Sequence, residues 1–504
     1  MKKVLFFKNA LILTVTSLLL RTVGIFFRVW LTGQIGAEGI GLYQVVYSVY
    51  VLASTFATSG ICTAVTRMVT SYLSENDKKG AVKSVKTAIL LSLIIAFASM
   101  AVILCFADQI AKYIIKDVRA ALSLKILCFS LPFMGVCSCI RGYFLARRST
   151  LPPSFCQMAE QIVRIGVIFI LIGKVAPYGI AAASAAVMAG DAASEMIGAF
   201  LLYLSYVSDK KHIRSEKNEN KQVLPELLRI ATPISLGRYI HTCLRTAENL
   251  LTPICFSKYK GTELGGLEQF GMIKGMALPL LLFPASILSS ISTLMVTEIT
   301  ESASKGNKAG IAKTGESVLC ITSIFSFLIG AIFFAASTHI GEIVYNSREV
   351  GYLIRALSPL VPFMYLDLIC DGILKGLDEQ KTLFKTSVTD SAVRVLLVLV
   401  LVPEFGMKGF LLVMMFSNVY TSIASLIKIV KITNLKFKIA KMFLSPLFSA
   451  ATAVIITGKL LKPISSNIIY VAATVAGISA IYFVLIFLQL PDKTLTLKKP
   501  LFFK

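Results

Sequence analysis

Fourteen apolar stretches, almost free of charge, follow one another along the 504 residues, at 10–35, 42–68, 88–106, 122–145, 155–173, 180–207, 227–256, 271–296, 318–336, 353–374, 384–402, 409–430, 444–461 and 468–490. Most approach or exceed the ~20 residues that a helix needs to cross hydrocarbon. A chain buried in lipid must satisfy its own backbone, and at this length and apolarity only helices do so, because barrel strands are shorter and alternate. Hydrophobic types make up 56% of the residues and charged types 15%, against about 45–50% and 25% in soluble domains. The expected fold is therefore an all-α polytopic membrane protein of about 14 transmembrane helices, in the cell membrane, and a soluble enzyme of this size is excluded.

The formal net charge is +24. On a soluble chain such an excess would suggest nucleic acid, but here the basic residues are scattered over separate loops with no recognition module. With the N-terminus inside, roughly 30 Lys and Arg fall in loops on that side and roughly 13 on the other, which by the positive-inside rule places both termini in the cytoplasm. Among the arginines inside the apolar stretches, eight stand out: Arg21, Arg28, Arg67, Arg141, Arg164, Arg238, Arg245 and Arg394. The first stretch is too long for a cleavable signal and carries two of them, so it is expected to stay as helix 1. The ten cysteines lack CxxC or Cys/His spacing and read as small packing residues, with no metal site expected.

The chain repeats itself. At an offset of 230, Pro132, Phe133, Met134, Gly142 and Arg164 fall on Pro362, Phe363, Met364, Gly372 and Arg394, while Gly41, Gly80 and Lys83 fall on Gly271, Gly310 and Lys313. At 217, Arg21 and Arg28 fall on Arg238 and Arg245. Two pseudo-symmetric six-helix bundles, 1–207 and 227–435, are expected, joined by a cytoplasmic linker at 208–226. Residues 436–504 add two further helices and a cytoplasmic tail. Parallel halves of this kind are a transporter architecture with the substrate between them.

A charge at bilayer depth costs at least ~2.5–3.5 kcal/mol, so each buried charge needs a partner or a cavity. Glu160 with Arg164, and Asp390 with Arg394, stand four apart on one helix face and read as structural ion pairs. Asp191 and Glu195 either complete that network or bind a coupling cation. Arg21 and Arg28 lie seven apart, two turns on one face, with no acid inside the helix, and Arg238 and Arg245 repeat the arrangement with Glu248 and Asn249 just beyond. If the first helices of the two halves line one space, these guanidiniums, with Arg67 near the cytoplasmic edge, would attract an anion. The planar fork suits phosphate because it donates two parallel charge-assisted bonds and keeps its proton. The plainer reading is that some of them snorkel to the interface or pair with acids elsewhere.

No GxxxxGK[ST] motif and no loop long enough for a nucleotide domain are present, so direct ATP drive from this chain is excluded. Three histidines without an acid/base arrangement give no support for an enzyme, and no cofactor is implied.

The run from Arg28 to Tyr47, RVWLTGQIGAEGIGLYQVVY, resembles the helix 1 to helix 2 signature of the stage V sporulation protein B family. So do Gly271 to Ser286 and Thr297 to Ser302. This polysaccharide biosynthesis family belongs to the multidrug/oligosaccharidyl-lipid/polysaccharide exporter superfamily, related to lipid II flippases. The resemblance implies alternating access and a flippase for a polyprenyl-diphosphate-linked oligosaccharide or peptidoglycan precursor, working among membrane lipids as a monomer. It makes Arg21, Arg28, Arg238 and Arg245 candidates for diphosphate contact. A multidrug or cation antiporter, and a non-transporting scaffold of an envelope-assembly complex, are the competing readings.

Overall fold

The computed structural model describes residues 2–75, 77–211, 222–261, 264–435, 439–461 and 466–489. The expected linker core at 212–221 and the tail from 490 onward lie outside them. Among the described residues the chain is helical, with no strand. The helices are α1 (Lys2–Thr58), α2 (Ile61–Ser74), α3 (Lys78–Gln109), α4 (Ala120–Cys128), α5 (Leu131–Ala146), α6 (Leu151–Val175), α7 (Ile180–Lys211), α8 (Val223–Lys258), α9 (Gly266–Phe270), α10 (Leu278–Leu282), α11 (Ala285–Ser304), α12 (Lys308–Tyr345), α13 (Arg348–Leu357), α14 (Val361–Gly376), α15 (Gln380–Thr433), α16 (Ser445–Leu460) and α17 (Asn467–Gln489). Among the described residues, nine helices are long and apolar enough to cross a membrane, or eleven if the bent pairs α4–α5 and α9/α10–α11 each count as one span.

Two of the longest elements are each two helices in series. α1 breaks at Gly36 (φ 70°) and α15 at Gly406 (φ 53°), the left-handed region that only glycine enters at little cost. Both breaks fall in the gaps between apolar stretches, at 35–42 and 402–409. α8 covers the stretch 227–256 but does not pass as a span by composition, because Arg229, Arg238, Arg245 and Glu248 interrupt it.

The chain divides into two compact units, Met1–Gly275 with Val395–Gly406, and Met276–Arg394 with Met407–Lys504. In the first, one buried core joins α2, α3, α5, α7 and α8 around Tyr143, Phe144 and Met68, and a second joins α1, α6 and α7 around Ile40 and Ile168. In the second unit the final pair, α16 and α17, packs on α12 through Ala453, Ile478, Tyr482 and Ile324. Phe26, Phe169, Phe200 and Phe487 lie largely exposed on the outer faces, the surface a bilayer covers.

Close packing recurs at the repeat offset. Gly41 lies against the Leu267 carbonyl and Gly271 against that of Ala37, so a Cβ on either would overlap backbone. A Cβ on Gly142 would stand 2.7 Å from Cys62 O, and one on Gly372 2.8 Å from Ser292 O. Asp77 accepts from Gly80 N at 2.8 Å to start α3, and Asn307 from Gly310 N at 2.9 Å to start α12. In lipid, where apolar side chains gain little by avoiding the solvent, such close backbone approach is a main source of helix association.

Candidate functional site

The five arginines singled out for phosphate lie in the first unit. Arg21 and Arg28 stand on the first segment of α1, Arg67 on α2, and Arg238 and Arg245 on α8. Arg21, Arg67, Arg238 and Arg245 are exposed and Arg28 is half-buried. α8 docks on the second segment of α1 through Ser235 Oγ to Ser59 O (2.7 Å), Tyr239 OH to Phe56 O (3.2 Å), Thr246 Oγ1 to Ser48 O (3.2 Å) and Asn249 Nδ2 to Ser48 Oγ (3.0 Å). Helical spacing leaves Arg238 and Arg245 on the flank of that docking face. Arg238 acts electrostatically on Cys62, at the start of α2.

Among the described residues, none of these five guanidiniums has a hydrogen bond or an ion pair. Three other arginines within the apolar stretches, Arg141, Arg164 and Arg394, do have partners. Arg141 on α5 donates to both oxygens of Glu160 on α6, at 2.9 and 3.2 Å. Arg164 on α6 meets Asp191 on α7 at 2.8 Å, and Tyr43 OH donates to the same carboxylate at 3.4 Å. In the second unit Arg394 reaches Ser417 Oγ at 3.2 Å.

Glu160 and Arg164 are thus in ion pairs, though not with each other. Glu160 and Arg164 do share a face, but each is taken by a neighbouring helix, Glu160 by α5 and Arg164 by α7. A bond across packed helices neutralises a charge on each of two elements, which the pair along one helix does not. Asp191 is the acid that pairs with Arg164. Glu195 lies beside Glu160 and Cys137, with one ligand atom of each within 4.8 Å of the others. Glu248 is buried and meets Lys274 at 3.4 Å, while Asn249 serves the α1–α8 contact. Spacing along the chain does not point to Lys274, Tyr43 or Arg141 as partners of these acids, because each comes from a different helix.

Arg28, Arg164 and Asp191 line one interior cavity of about 130 Å³, with Tyr43, Gln44 and Gln161. Of the five arginines, Arg28 alone lines this space. In the second unit, the positions repeating Arg141, Glu160 and Arg164 hold Asp371, Asp390 and Arg394, and Asp371 is held by Lys375 at 3.2 Å. Asp367 lies within electrostatic range of both Asp371 and Asp390. The ten cysteines are free thiols, six of them buried.

Helices, apolar faces and intramembrane charges define a multi-pass cell-membrane protein of transporter fold. The lipid II flippase MurJ in its inward closed conformation superposes with a TM-score of 0.75 at 14% identity, covering 95% of this chain and 98% of that one. A multidrug resistance MATE family transporter of the MOP superfamily, in an inward-facing conformation, gives 0.68 at 12% identity, covering 84% and 98%. By sequence, residues 6–293 match the family described as polysaccharide biosynthesis protein, and the chain belongs to that family. Stage V sporulation protein B of Bacillus subtilis (strain 168) is 23% identical over 500 residues, 96% of each chain.

Proposed function

We propose that the protein is a flippase that carries a polyprenyl-diphosphate-linked oligosaccharide or peptidoglycan precursor across the cell membrane by alternating access. The observation that carries this reading is the set of unpaired guanidiniums on α1, α2 and α8, in the unit that holds most of the family match. Arg21, Arg28, Arg67, Arg238 and Arg245 take the diphosphate, and the lipid tail stays in the bilayer. The name of the lipid II flippase supports the substrate class.

The chain crosses the membrane fourteen times with both termini in the cytoplasm. Splitting α1 at Gly36 and α15 at Gly406, joining the bent pairs and counting α8 supports that number. Its parts are bundles 1–207 and 227–435, the linker 208–226 and the additional pair with its tail, 436–504, and it works as a monomer among membrane lipids. Moving a dianionic head outward is favoured by a negative cytoplasm, each charge by about 2.3 kcal/mol per 100 mV. Asp191 and Glu195 are the candidates for a coupling cation.

The test is outward movement of lipid-linked precursor in vesicles carrying wild type, Arg21→Ala, Arg238→Ala or Arg238→Lys at equal protein levels. Loss in the alanine variants with partial retention by lysine is expected. Normal flipping by both alanine variants would sink the reading. The competing antiporter draws support from Asp367, Asp371 and Asp390. It predicts efflux of an organic cation that Asp191→Asn abolishes while precursor movement continues.

A further inference from the structure

The first unit has a second basic place, far along α8 from the arginines. Lys258 ends α8, 13 residues beyond Arg245, or about 20 Å along a helix rising ~1.5 Å per residue. It faces a cavity of about 410 Å³, whose other walls are the break of α1 (Glu38), the π-helical turn after α3 with its cap (Ile115, Lys116, Asp117) and the entry to α9 (Gly265, Leu267). That volume is in the ~300–1,000 Å³ range of small-ligand sites.

Four charged side chains line it, and they divide unequally. Arg119, next to the cavity, donates to Asp117 through Nε at 3.0 Å and Nη2 at 2.7 Å, with its backbone N–H adding a third bond at 2.9 Å. The same Nη2 reaches Glu38 at 2.6 Å. Both carboxylates are therefore engaged by one guanidinium. Asp117 lies outside the spans, and burial works to raise its carboxyl, but the Arg119 hydrogen bonds outweigh that and hold it below its usual range. The ammoniums of Lys116 and Lys258 have no hydrogen bond or ion pair among the described residues. Both act electrostatically on the thiol of Cys255, so both ammoniums reach the same neighbourhood. Lys116 is held in the left-handed region (φ 62°), a conformation costing a lysine roughly 1–2 kcal/mol.

We infer that this cavity is a phosphate-binding site, with Lys116 and Lys258 as its cations and Ile115, Ile254 and Leu267 as an apolar floor beneath the anion. The two ammoniums and the Arg119 guanidinium against the two carboxylates leave the site with an excess of one positive charge, and ammonium binds phosphate as a point charge. The floor suits a phosphate on an apolar tail, and the open backbone at Gly265, where a Cβ would meet nothing within 4 Å, leaves room for it. The chemistry stands on the first unit alone. Its placement on the outer membrane face rests on the proposed topology, and the test below needs neither topology nor flipping.

The full chain, purified in a neutral detergent, is acylated with an amine reagent, and each lysine is read by mass spectrometry with pyrophosphate or farnesyl diphosphate present. Both probes should slow Lys116 and Lys258 about threefold or more, as charge-assisted contacts would. Lys112, whose ammonium lies 5.4 Å from the Tyr113 ring and does not line the cavity, should be unaffected. Lys116→Gln should raise the probe concentration that half-protects Lys258 about tenfold, the loss of one charge-assisted bond. Tighter protection by farnesyl diphosphate identifies a lipid headgroup as the source, and equal protection a free phosphate. Unchanged acylation of both lysines with either probe, or half-protection of Lys258 unmoved by Lys116→Gln, would overturn the site.

Discussion

Two sets of arginines stand inside the first unit and differ in company. On α5 and α6, Arg141 and Arg164 are ion-paired with Glu160 and Asp191, whose side chains are 10% and 6% exposed. On α1, α2 and α8, Arg21, Arg28, Arg67, Arg238 and Arg245 have no such partner among the described residues. The first set satisfies buried acids and holds three helices together. The second leaves guanidiniums available to a ligand that brings its own negative charge. Depth in the sequence pattern did not separate the charges that find partners from those that do not, whereas the packing of the helices does.

The largest expected effect breaks the paired set. Arg164→Ala strands the buried Asp191, which should cost about 3–5 kcal/mol. The check is the unfolding midpoint in detergent, where Arg164→Gln with Asp191→Asn should recover part of the loss. If Arg164→Ala unfolds like wild type, the contrast between the two sets fails.

A smaller loss should follow where the repeat preserves packing. Gly372→Ala forces a Cβ against Ser292, and Gly142→Ala one against Cys62. Each should destabilise by ~1–3 kcal/mol, as overpacking does. Charges do not repeat in the same way, since Asp371 replaces Arg141. A swap of signs at 141 and 371 should therefore be worse tolerated than Gly142→Ala or Gly372→Ala, which yields of folded protein would report.

Arg238→Ala tests the unpaired set from the other side. Stability should move by no more than about 0.5 kcal/mol, as for a surface change. Precursor movement should fall on the order of tenfold, the loss of one charge-assisted bond to the diphosphate. A variant that unfolds instead would place Arg238 among the structural charges.

The smallest effect lies outside the membrane. Asp117 titrates below its ordinary value because of Arg119, so its contribution to stability is fully present above the unfolded value of about 3.9 and is lost as pH falls through the folded one. The gap in unfolding midpoint between wild type and Asp117→Asn should be widest near neutrality and close below about pH 4. A gap that widens on acidification would reverse the sign and refute the pairing.

Much of the fold was legible because the signals are local. Apolar runs marked where helices lie, and the breaks at Gly36 and Gly406 sit in the gaps between runs. The repeat was readable at Gly41 and Gly271 because close packing demands the same small residue at both. The five arginines could be named because a guanidinium in an apolar run is conspicuous. Their freedom from partners could not, since it depends on which acids other helices bring near. For Glu160, the neighbour four residues on was the natural partner by spacing, yet Arg141, 19 residues earlier, holds it.

Sequence by itself thus determined the class, because hydropathy and the bilayer's intolerance of open backbone leave helices as the only form for such runs. Tertiary structure decided which charges neutralise each other and which remain available. It alone brought Lys116 and Lys258, 142 positions apart, to one cavity. Hydropathy is a sum over neighbours in the chain, whereas an ion pair is a distance between side chains, and only packing sets that distance.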